Sequence, residues 1–205
     1  MLVVVDYGMG NLGSVLNMLR RSDVEAMVSG RVEDVMQASK IILPGVGAFD
    51  QAVENLRQTG LATALKVRVE RDGVPLLGIC LGMQLLTESS AEGSQAGFGW
   101  IPGNTTRFQQ MEASAELKVP HMGWNQVEVT QPNPLLPPLE EERRFYFVHS
   151  YHVACAPEFV IGTTTYGYPF PSVVRHGSVF GAQFHPEKSH RFGSDLLTRF
   201  AGWEG

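Results

Sequence analysis

The sequence predicts an α/β fold with a mostly parallel central sheet and an antiparallel extension in its C-terminal half. Through residues 1–90, short apolar runs alternate with segments of helical periodicity, an order typical of a parallel sheet covered by helices on both faces. After residue 120, strand-like segments follow one another without helices between them, which indicates antiparallel strands. A chain of 205 residues, 43% hydrophobic and 18% charged, is expected to form a single domain spanning 1–205.

Four strands and four helices are predicted in the first half. The predicted strands are the apolar runs LVVVDYG (2–8), EAMVSG (25–30), KIILPG (40–45) and VPLLGIC (74–80). The segment NLGSVLNMLRR has apolar residues at helical spacing, with Leu12, Val15, Leu16 and Leu19 on one face. The predicted helices are 11–21, 32–38, 48–71 with a break at Gly60, and 81–90.

The second half is predicted to contain strands joined by turns. They are HMGWNQVEVT (121–130), RFYFVHSYHV (144–153), FVIGTTTYG (159–167) and SVVRHGSVFGAQFH (172–185). The proline-rich segment 131–140 is expected to be a surface loop, and 189–203 a closing helix.

Charge and composition exclude several classes of protein. A net charge of −5 and a pI near 5.7, with no basic run, argue against nucleic-acid binding. The apolar stretch Leu2–Val5 is too short for a signal peptide or a membrane span, so we expect a cytoplasmic protein with no membrane segment. Cys80 and Cys155 are then expected to remain free thiols, and two cysteines give no metal-site spacing.

Cys80 lies in Gly78-Ile79-Cys80-Leu81-Gly82, which follows a predicted strand and opens a predicted helix. This is the context of a nucleophile elbow, a cramped turn in which flanking glycines avoid collision with neighbouring backbone. The helix N-terminus favours the thiolate over the thiol. From the pentapeptide alone, a buried cysteine in a tight turn is an equal alternative.

His185-Pro186-Glu187 could supply the base and the orienting carboxylate that a thiolate nucleophile needs. Proline favours an extended residue before it, so His185 is expected to project from a strand end, within reach of Glu187. A carboxylate on one ring nitrogen leaves the other free to handle protons. Alone, the tripeptide would be interpreted as a strand-ending turn with a solvated glutamate; together with the elbow, it favours catalysis.

The segment ILPGVGAF ends the strand that precedes the cysteine-bearing strand in sequence. Loops at the carboxyl ends of parallel strands commonly carry function. Gly45 and Gly47 are expected to leave backbone N–H groups near Cys80, where they could stabilise an oxyanion. A helix-entry turn is the alternative, and the sequence does not identify the donor.

These segments, in this order, resemble the class I (triad-type) glutamine amidotransferases. Within that class the chain is similar to the glutaminase subunits of imidazole glycerol phosphate synthase, through DYGMGNL (6–12), LPGVGAF (43–49), GICLGMQLL (78–86), PHMGWN (120–125), YFVHSY (146–151) and QFHPEKS (183–189). The cysteine and His-Pro-Glu motifs specify the class, whereas PGVG, PHMGWN and VHSY indicate the subfamily. The resemblance covers essentially the whole chain and implies a three-layer, flavodoxin-like fold.

The resemblance also implies roles for individual residues. The implied catalytic residues are Cys80 as nucleophile, His185 as general base and acid, and Glu187 as its orienting partner. The implied glutamine-binding residues are Gln84, Glu92 and the backbone at Ser150 and Tyr151. The loop Gly45, Val46 and Gly47, together with Leu81, is the implied source of oxyanion donors.

The reaction implied by the resemblance is hydrolysis of glutamine to glutamate and ammonia through a glutamyl thioester, with no metal or organic cofactor. Free ammonia would be lost to bulk water, so a partner must receive it directly. The implied partner is a (βα)8-barrel cyclase subunit in a heterodimer, which makes imidazole glycerol phosphate and an aminoimidazole carboxamide ribotide in histidine biosynthesis. Three residues are expected at that interface: Asn11, Trp124 and Lys188. Alternatively, Asn11 caps the first helix, Trp124 lies in the core and Lys188 is a solvated cation.

Other interpretations remain open at this stage. Gly8–Gly13 matches G-x-G-x-x-G after a strand, and Arg31 could meet a 2′-phosphate, so an NADP-dependent oxidoreductase is one alternative. A glutaminase that serves another synthase, or a cysteine hydrolase of the same fold, is a closer one. The remaining histidines lack metal-ligand spacing and are not predicted to be catalytic: His121, His149, His152, His176 and His190. His121 and His149 lie in the motifs that carry the resemblance, which implies that they could shape the pocket or the interface. Cys155 is predicted to lie in the core.

Overall fold

A computed structural model describes residues 1–109, 117–138 and 141–205, and its central element is an eight-stranded sheet. The strands of this sheet are β1 (Leu2–Val5), β2 (Ala26–Ser29), β3 (Lys40–Gly45), β4 (Leu76–Cys80), β8 (Glu128–Val129), β11 (Val160–Tyr166), β12 (Tyr168–His176) and β13 (Val179–Ala182). Their spatial order is β2-β1-β3-β4-β13-β12-β11-β8. The first five in spatial order pair in parallel and the last three are antiparallel, which confirms the predicted mixture.

Helices cover both faces of this sheet. They are α1 (Leu12–Arg21), α2 (Val32–Gln37), α3 (Phe49–Gln58), α4 (Leu61–Lys66), α5 (Leu81–Gln84) and α6 (His190–Gly202). A π-helical turn at Val67–Arg71 continues α4. Gly60 separates α3 from α4 with a φ of +75°, so the predicted break is confirmed.

The strands of the parallel region are buried on both faces, which explains their continuous apolar sequences. Successive side chains of β1 enter two different cores. Val3 and Val5 belong to a core under α2, α3 and α4, whereas Leu2 and Val4 pack with residues of α1 and α6. The molecule is therefore a three-layer α/β/α structure, as predicted.

Two small sheets stand beside the central one. One contains β10 (Tyr151–Cys155), β6 (Gly103–Arg107) and β5 (Ser89–Ser90), and the other pairs β7 (His121–Gln126) with β9 (Arg144–His149). The predicted strand 144–153 is thus two strands in different sheets, separated at Ser150. Residues 131–138 of the predicted proline-rich loop contain no helix or strand, and its last two residues lie outside the described residues.

The predicted helix over 81–90 is wrong beyond Gln84. The helix ends after one turn, where the Thr87 hydroxyl donates to the Gln84 carbonyl at 2.8 Å. The Leu85 carbonyl accepts from the Phe98 N–H instead of continuing the helix, and Ser89–Ser90 joins β6 as a strand. Within the described part of the chain, none of the helices has both the length and the apolar sequence needed to cross a membrane.

Candidate active site

Cys80 is the last residue of β4 and precedes α5 directly, with φ +54° and ψ −109°. A positive φ is uncommon for a residue with a side chain and costs about 1–3 kcal/mol, so it is retained where the surrounding structure imposes it. The cysteine is buried, but its side chain reaches a cavity. The predicted nucleophile elbow is therefore present in the structure.

The two glycines of the elbow are required by close backbone approach. A Cβ at Gly82 would lie 1.8 Å from the Leu43 carbonyl oxygen, and a Cβ at Gly78 would lie 2.5 Å from the Gly82 oxygen. Real Cβ contacts are never that short, so only glycine allows β3, β4 and α5 to meet here. The local sequence thus fixes the position of Cys80.

His185 and Glu187 form a buried pair beside the elbow. The His185 Nδ1 lies 2.8 Å from the Glu187 Oε1, and both side chains are only 2% exposed. The His185 backbone N–H donates to the Tyr146 carbonyl at 2.9 Å, and the Ser189 hydroxyl donates to the His185 carbonyl at 2.6 Å. The short turn Pro186–Lys188 returns the carboxylate to the ring, as the sequence predicts.

The surroundings of His185 favour its charged form. Burial opposes protonation, but the Cys80 sulfur and the Glu187 carboxylate outweigh it and raise the pKa of His185 to about 10. The Nε2 is buried and has no hydrogen-bond partner among the described residues. With Nδ1 occupied by Glu187, Nε2 is the ring atom left to exchange a proton.

Cys80 and His185 line one cavity of about 350 Å³. The other lining residues are Val46, Gly47, Leu81, Gln84, Glu92, Pro120, Val148, His149, Ser150 and Tyr151. Nine of the residues predicted from sequence to act at the site therefore meet around one space. Gly45, which was also predicted, is buried behind the cavity, where it pairs in register with Cys80.

Gln84 and Glu92 both supply polar groups to this cavity. The Gln84 Nε2 donates to the Tyr151 carbonyl at 3.1 Å. A Glu92 carboxylate oxygen accepts from the Phe49 N–H at 3.1 Å, at the N-terminus of α3, where partial positive charge favours an anion. Backbone N–H groups of Ser94 and Gln95 bind Asp50 and lower its carboxyl pKa, which fixes the loop that carries Glu92.

The Pro44–Gly47 loop borders the cavity above the elbow. Gly47 has a φ of +110°, and its N–H makes no hydrogen bond within the described residues. A Cβ at Gly45 would lie 2.5 Å from the Tyr7 hydroxyl and 2.9 Å from the Leu81 Cβ. The loop therefore packs directly against the residue that follows Cys80.

The three predicted interface residues lie at the surface. Asn11 precedes α1, but its side chain makes no capping hydrogen bond, so the helix-cap alternative is wrong. Trp124 is 46% exposed, which excludes the core alternative, and its ring stacks on His190 at 5.2 Å. The exposed Lys188 places its Nζ 5.5 Å from the centre of the Tyr146 ring.

Several residues at the site were not predicted. The Gln183 Nε2 lies 3.7 Å from the Cys80 Sγ, and the Val148 carbonyl lies 4.0 Å from the same sulfur. Gln183 is two residues before His185, and period-two alternation could have placed both on one face. Tyr7 has a buried hydroxyl with no partner among the described residues, and burial together with the nearby Cys80 raises its pKa.

Comparison with known proteins assigns the family. The family model described as "Glutamine amidotransferase class-I" matches residues 3–201. The chain is 47% identical over 201 residues to imidazole glycerol phosphate synthase subunit HisH 2 of Pseudomonas aeruginosa, covering 98% of each protein. The chain belongs to the class-I glutamine amidotransferases. It is also 46% identical over 201 residues to a HisH 2 subunit of Methanococcus maripaludis, again covering 98% of each.

A third relative, the HisH subunit of Bdellovibrio bacteriovorus, is 42% identical over 202 residues, 98% of this chain and 99% of that one. Within the class the chain therefore belongs with the HisH subunits of imidazole glycerol phosphate synthase. This membership replaces the dinucleotide-binding interpretation of Gly8–Gly13.

Solved structures confirm the fold. A crystal structure of a glutamine amidotransferase has a TM-score of 0.74 at 21% identity, covering 98% of this chain and 99% of that one. The structure of PurLQS from Thermotoga maritima has a TM-score of 0.72 at 19% identity, covering 97% of this chain and 96% of that one.

Proposed function

We propose that this chain hydrolyses glutamine to glutamate and ammonia in the cavity at Cys80. Cys80 is the nucleophile, His185 carries protons, and Glu187 orients His185. One observation carries the proposal: a cysteine on a positive-φ turn and a buried histidine–carboxylate pair line the same cavity. The family of the chain supports the same reaction.

The geometry suggests the following sequence of steps. The thiolate of Cys80 attacks the side-chain carboxamide carbon of glutamine, and His185 then donates its proton to the nitrogen as the C–N bond breaks. Ammonia leaves, and a glutamyl thioester remains on Cys80. Water attacks the thioester carbon while the His185 Nε2 accepts its proton. Glutamate departs, and the thiolate and protonated His185 are restored.

The cavity wall provides partners for the rest of the substrate. We assign the α-ammonium of glutamine to the Glu92 carboxylate and the Gln84 side chain, because both face the cavity with acceptor oxygens. The backbone of Ser150 and Tyr151 borders the same space and completes the binding site. The proposed oxyanion donors are the Gly47 N–H and the Leu81 N–H. The Gly47 N–H lies on the loop formed by Gly45, Val46 and Gly47 and makes no hydrogen bond among the described residues, whereas Leu81 is the first residue of α5.

Ammonia released here must reach an acceptor before it is protonated in bulk water. We propose that the acceptor is a (βα)8-barrel cyclase subunit, bound as a heterodimer, which forms imidazole glycerol phosphate and an aminoimidazole carboxamide ribotide in cytoplasmic histidine biosynthesis. Asn11, Trp124 and Lys188 support this proposal: α1 packs on the turn that contains Lys188, and Trp124 stacks beside it on His190. An exposed tryptophan ring is typical of interface centres.

A Cys80→Ala variant tests this function in the complex with the cyclase subunit. We expect glutamine-dependent product formation to disappear, while product formation from added ammonium salt is retained. Cys155→Ala is the matched control, since burial raises the pKa of the Cys155 thiol to about 11 and keeps it unreactive. Glutamine hydrolysis that survives Cys80→Ala would refute the assignment.

A further inference from the structure

Two buried histidines outside the proposed triad belong to a hydrogen-bond chain that ends at the cavity wall. His121 and His149 are 3% and 6% exposed, and the His121 Nδ1 lies 3.0 Å from the His149 Nε2. The His149 Nδ1 lies 2.7 Å from the Tyr151 carbonyl oxygen. At the other end, the Asn125 Nδ2 lies 3.2 Å from the His121 Nε2. We call these four residues the imidazole chain.

The groups at the two ends of the imidazole chain determine which atom donates and which accepts in each of its hydrogen bonds. A carbonyl oxygen only accepts, so the His149 Nδ1 must donate to Tyr151. In the neutral ring, the His149 Nε2 then accepts from the His121 Nδ1–H, and the His121 Nε2 accepts from the Asn125 amide. Both imidazoles are therefore neutral Nδ1–H tautomers. Burial supports this by lowering the pKa of His121 to about 4 and that of His149 to about 3.

Aromatic rings hold the imidazole chain in one orientation. The His121 ring is stacked against Phe147 at 4.7 Å and against Tyr166 at 4.1 Å, so it cannot rotate freely between them. Phe108 packs against His149 at 5.2 Å. The direction of the His149 donor is consequently set by packing as well as by hydrogen bonds.

The Tyr151 carbonyl connects the imidazole chain to the reacting groups. It accepts from the Gln84 Nε2 as well as from His149. The Gln84 Nε2 also lies 3.2 Å from the Gln183 Oε1, and the Gln183 Nε2 lies 3.7 Å from the Cys80 Sγ. With both its N–H groups engaged, Gln84 presents only its oxygen to a ligand.

We propose that His149, held by His121, is a positioning residue for glutamine: it fixes the Tyr151 carbonyl and, through it, the acceptor oxygen of Gln84. This inference rests on the proposed use of the cavity as the glutamine site. It predicts that losing the His149 donor weakens glutamine binding more than it slows the chemical steps. The imidazole chain also begins on β7, whose residues Met122 and Trp124 are exposed.

Two substitutions separate the halves of the His149 ring. An asparagine amide can occupy the position of Nδ1 and keep the donor to Tyr151, whereas a glutamine amide can occupy the position of Nε2 and keep the partner of His121. In the complex with the cyclase subunit, we expect His149→Gln to raise the KM for glutamine about three- to tenfold, the effect of one hydrogen bond, with kcat within about twofold. His149→Asn is expected to retain the wild-type KM and to lower the melting temperature.

His152→Gln is the matched control, because His152 is equally buried but bonds to Val153 and Tyr168 rather than to Tyr151. Its KM is expected to remain at the wild-type value. Equal KM values for both His149 variants, or a KM change in the His152 control as large as in His149→Gln, would overturn the proposal. A wild-type protein that hydrolyses no glutamine would instead contradict the proposed function.

Imidazole nitrogen chemical shifts test the same inference in the wild-type protein, whatever the stability of the variants. At pH 7, we expect His121 and His149 each to show a protonated Nδ1 and an unprotonated Nε2. An Nε2–H tautomer or a charged ring at either position would overturn the proposal, because the donor to Tyr151 or its support would be missing.

Discussion

Replacing Glu187 with glutamine removes the charge beside His185 while almost preserving shape. Glu187 does not line the cavity, so its substitution should change the protonation of His185 rather than contact with glutamine. If the new glutamine side chain places its oxygen against the His185 Nδ1, its NH2 group is buried at the position of the carboxylate Oε2. That position has no hydrogen-bond partner among the described residues. The opposite orientation makes the amide donate to Nδ1 and moves the ring proton to Nε2, the wrong tautomer for accepting a proton.

The expected loss of kcat follows from the strength of the hydrogen bond between His185 and Glu187. A buried hydrogen bond to a charged group contributes about 1.5–3 kcal/mol, which corresponds to about 10- to 150-fold in rate. Here the contact is 2.8 Å long and both side chains are 2% exposed, so little screening reduces it. We expect kcat to fall by about 10²-fold, with the KM for glutamine unchanged within about threefold.

Glutamate production in the complex with the cyclase subunit measures both constants. Glu142→Gln is the control, because Glu142 is 59% exposed and pairs with Arg144 at the surface. A Glu187→Gln variant with wild-type kcat would show that the buried carboxylate does not support the proton transfers of His185. A variant that changes KM and leaves kcat intact would also show this, since Glu187 would then act on substrate binding.

Three further predictions concern stability. Tyr7→Phe is expected to raise the free energy of unfolding by about 1 kcal/mol or more in chemical denaturation, because the lost hydroxyl is buried without a partner among the described residues; a loss of stability would contradict this. Gly82→Ala is expected to lower the melting temperature and abolish glutaminase activity, whereas Gly13→Ala, whose Cβ would meet no described residue within 4 Å, should do neither. Folding lowers the pKa of His121 and His149, so their contribution to the free energy of unfolding should be complete above pH 6.5 and decline as the pH falls towards 3. Folding raises the pKa of His185, so its contribution should be complete below pH 6.5 and decline as the pH rises through 10. Denaturation curves that show no such maximum near neutral pH would contradict these shifts.

The elbow and the histidine–carboxylate pair could be predicted because their signals are local. Gly78 and Gly82 flank Cys80 within five residues, so the glycine pattern is visible in the sequence, although the group that excludes a side chain at Gly82 is the Leu43 carbonyl on β3. His185 and Glu187 are two residues apart, so a single short turn brings them together. The apolar runs of the parallel strands were equally direct, since strands buried on both faces need continuous apolar sequence.

Other features depend on pairing between distant segments, which local pattern does not reveal. Residues on both sides of Ser150 are of strand-forming types, yet β9 pairs with β7 and β10 pairs with β6. The predicted helix over 81–90 has helical residue types, but the strand partner of Ser89–Ser90 is β6, about fifteen residues later in sequence. The imidazole chain likewise exists only because β7 and β9 are adjacent.

We propose that Cys80 alone attacks the substrate, in a cavity it shares with His185. Mass spectrometric mapping of the protein after treatment with a glutamine analogue that bears an electrophile at its side-chain carbonyl tests this most directly. We predict one adduct, on Cys80, which is protected by excess glutamine and forms much more slowly in His185→Asn. An adduct on Cys155, or unimpaired glutamine hydrolysis by protein fully modified at Cys80, would contradict the account.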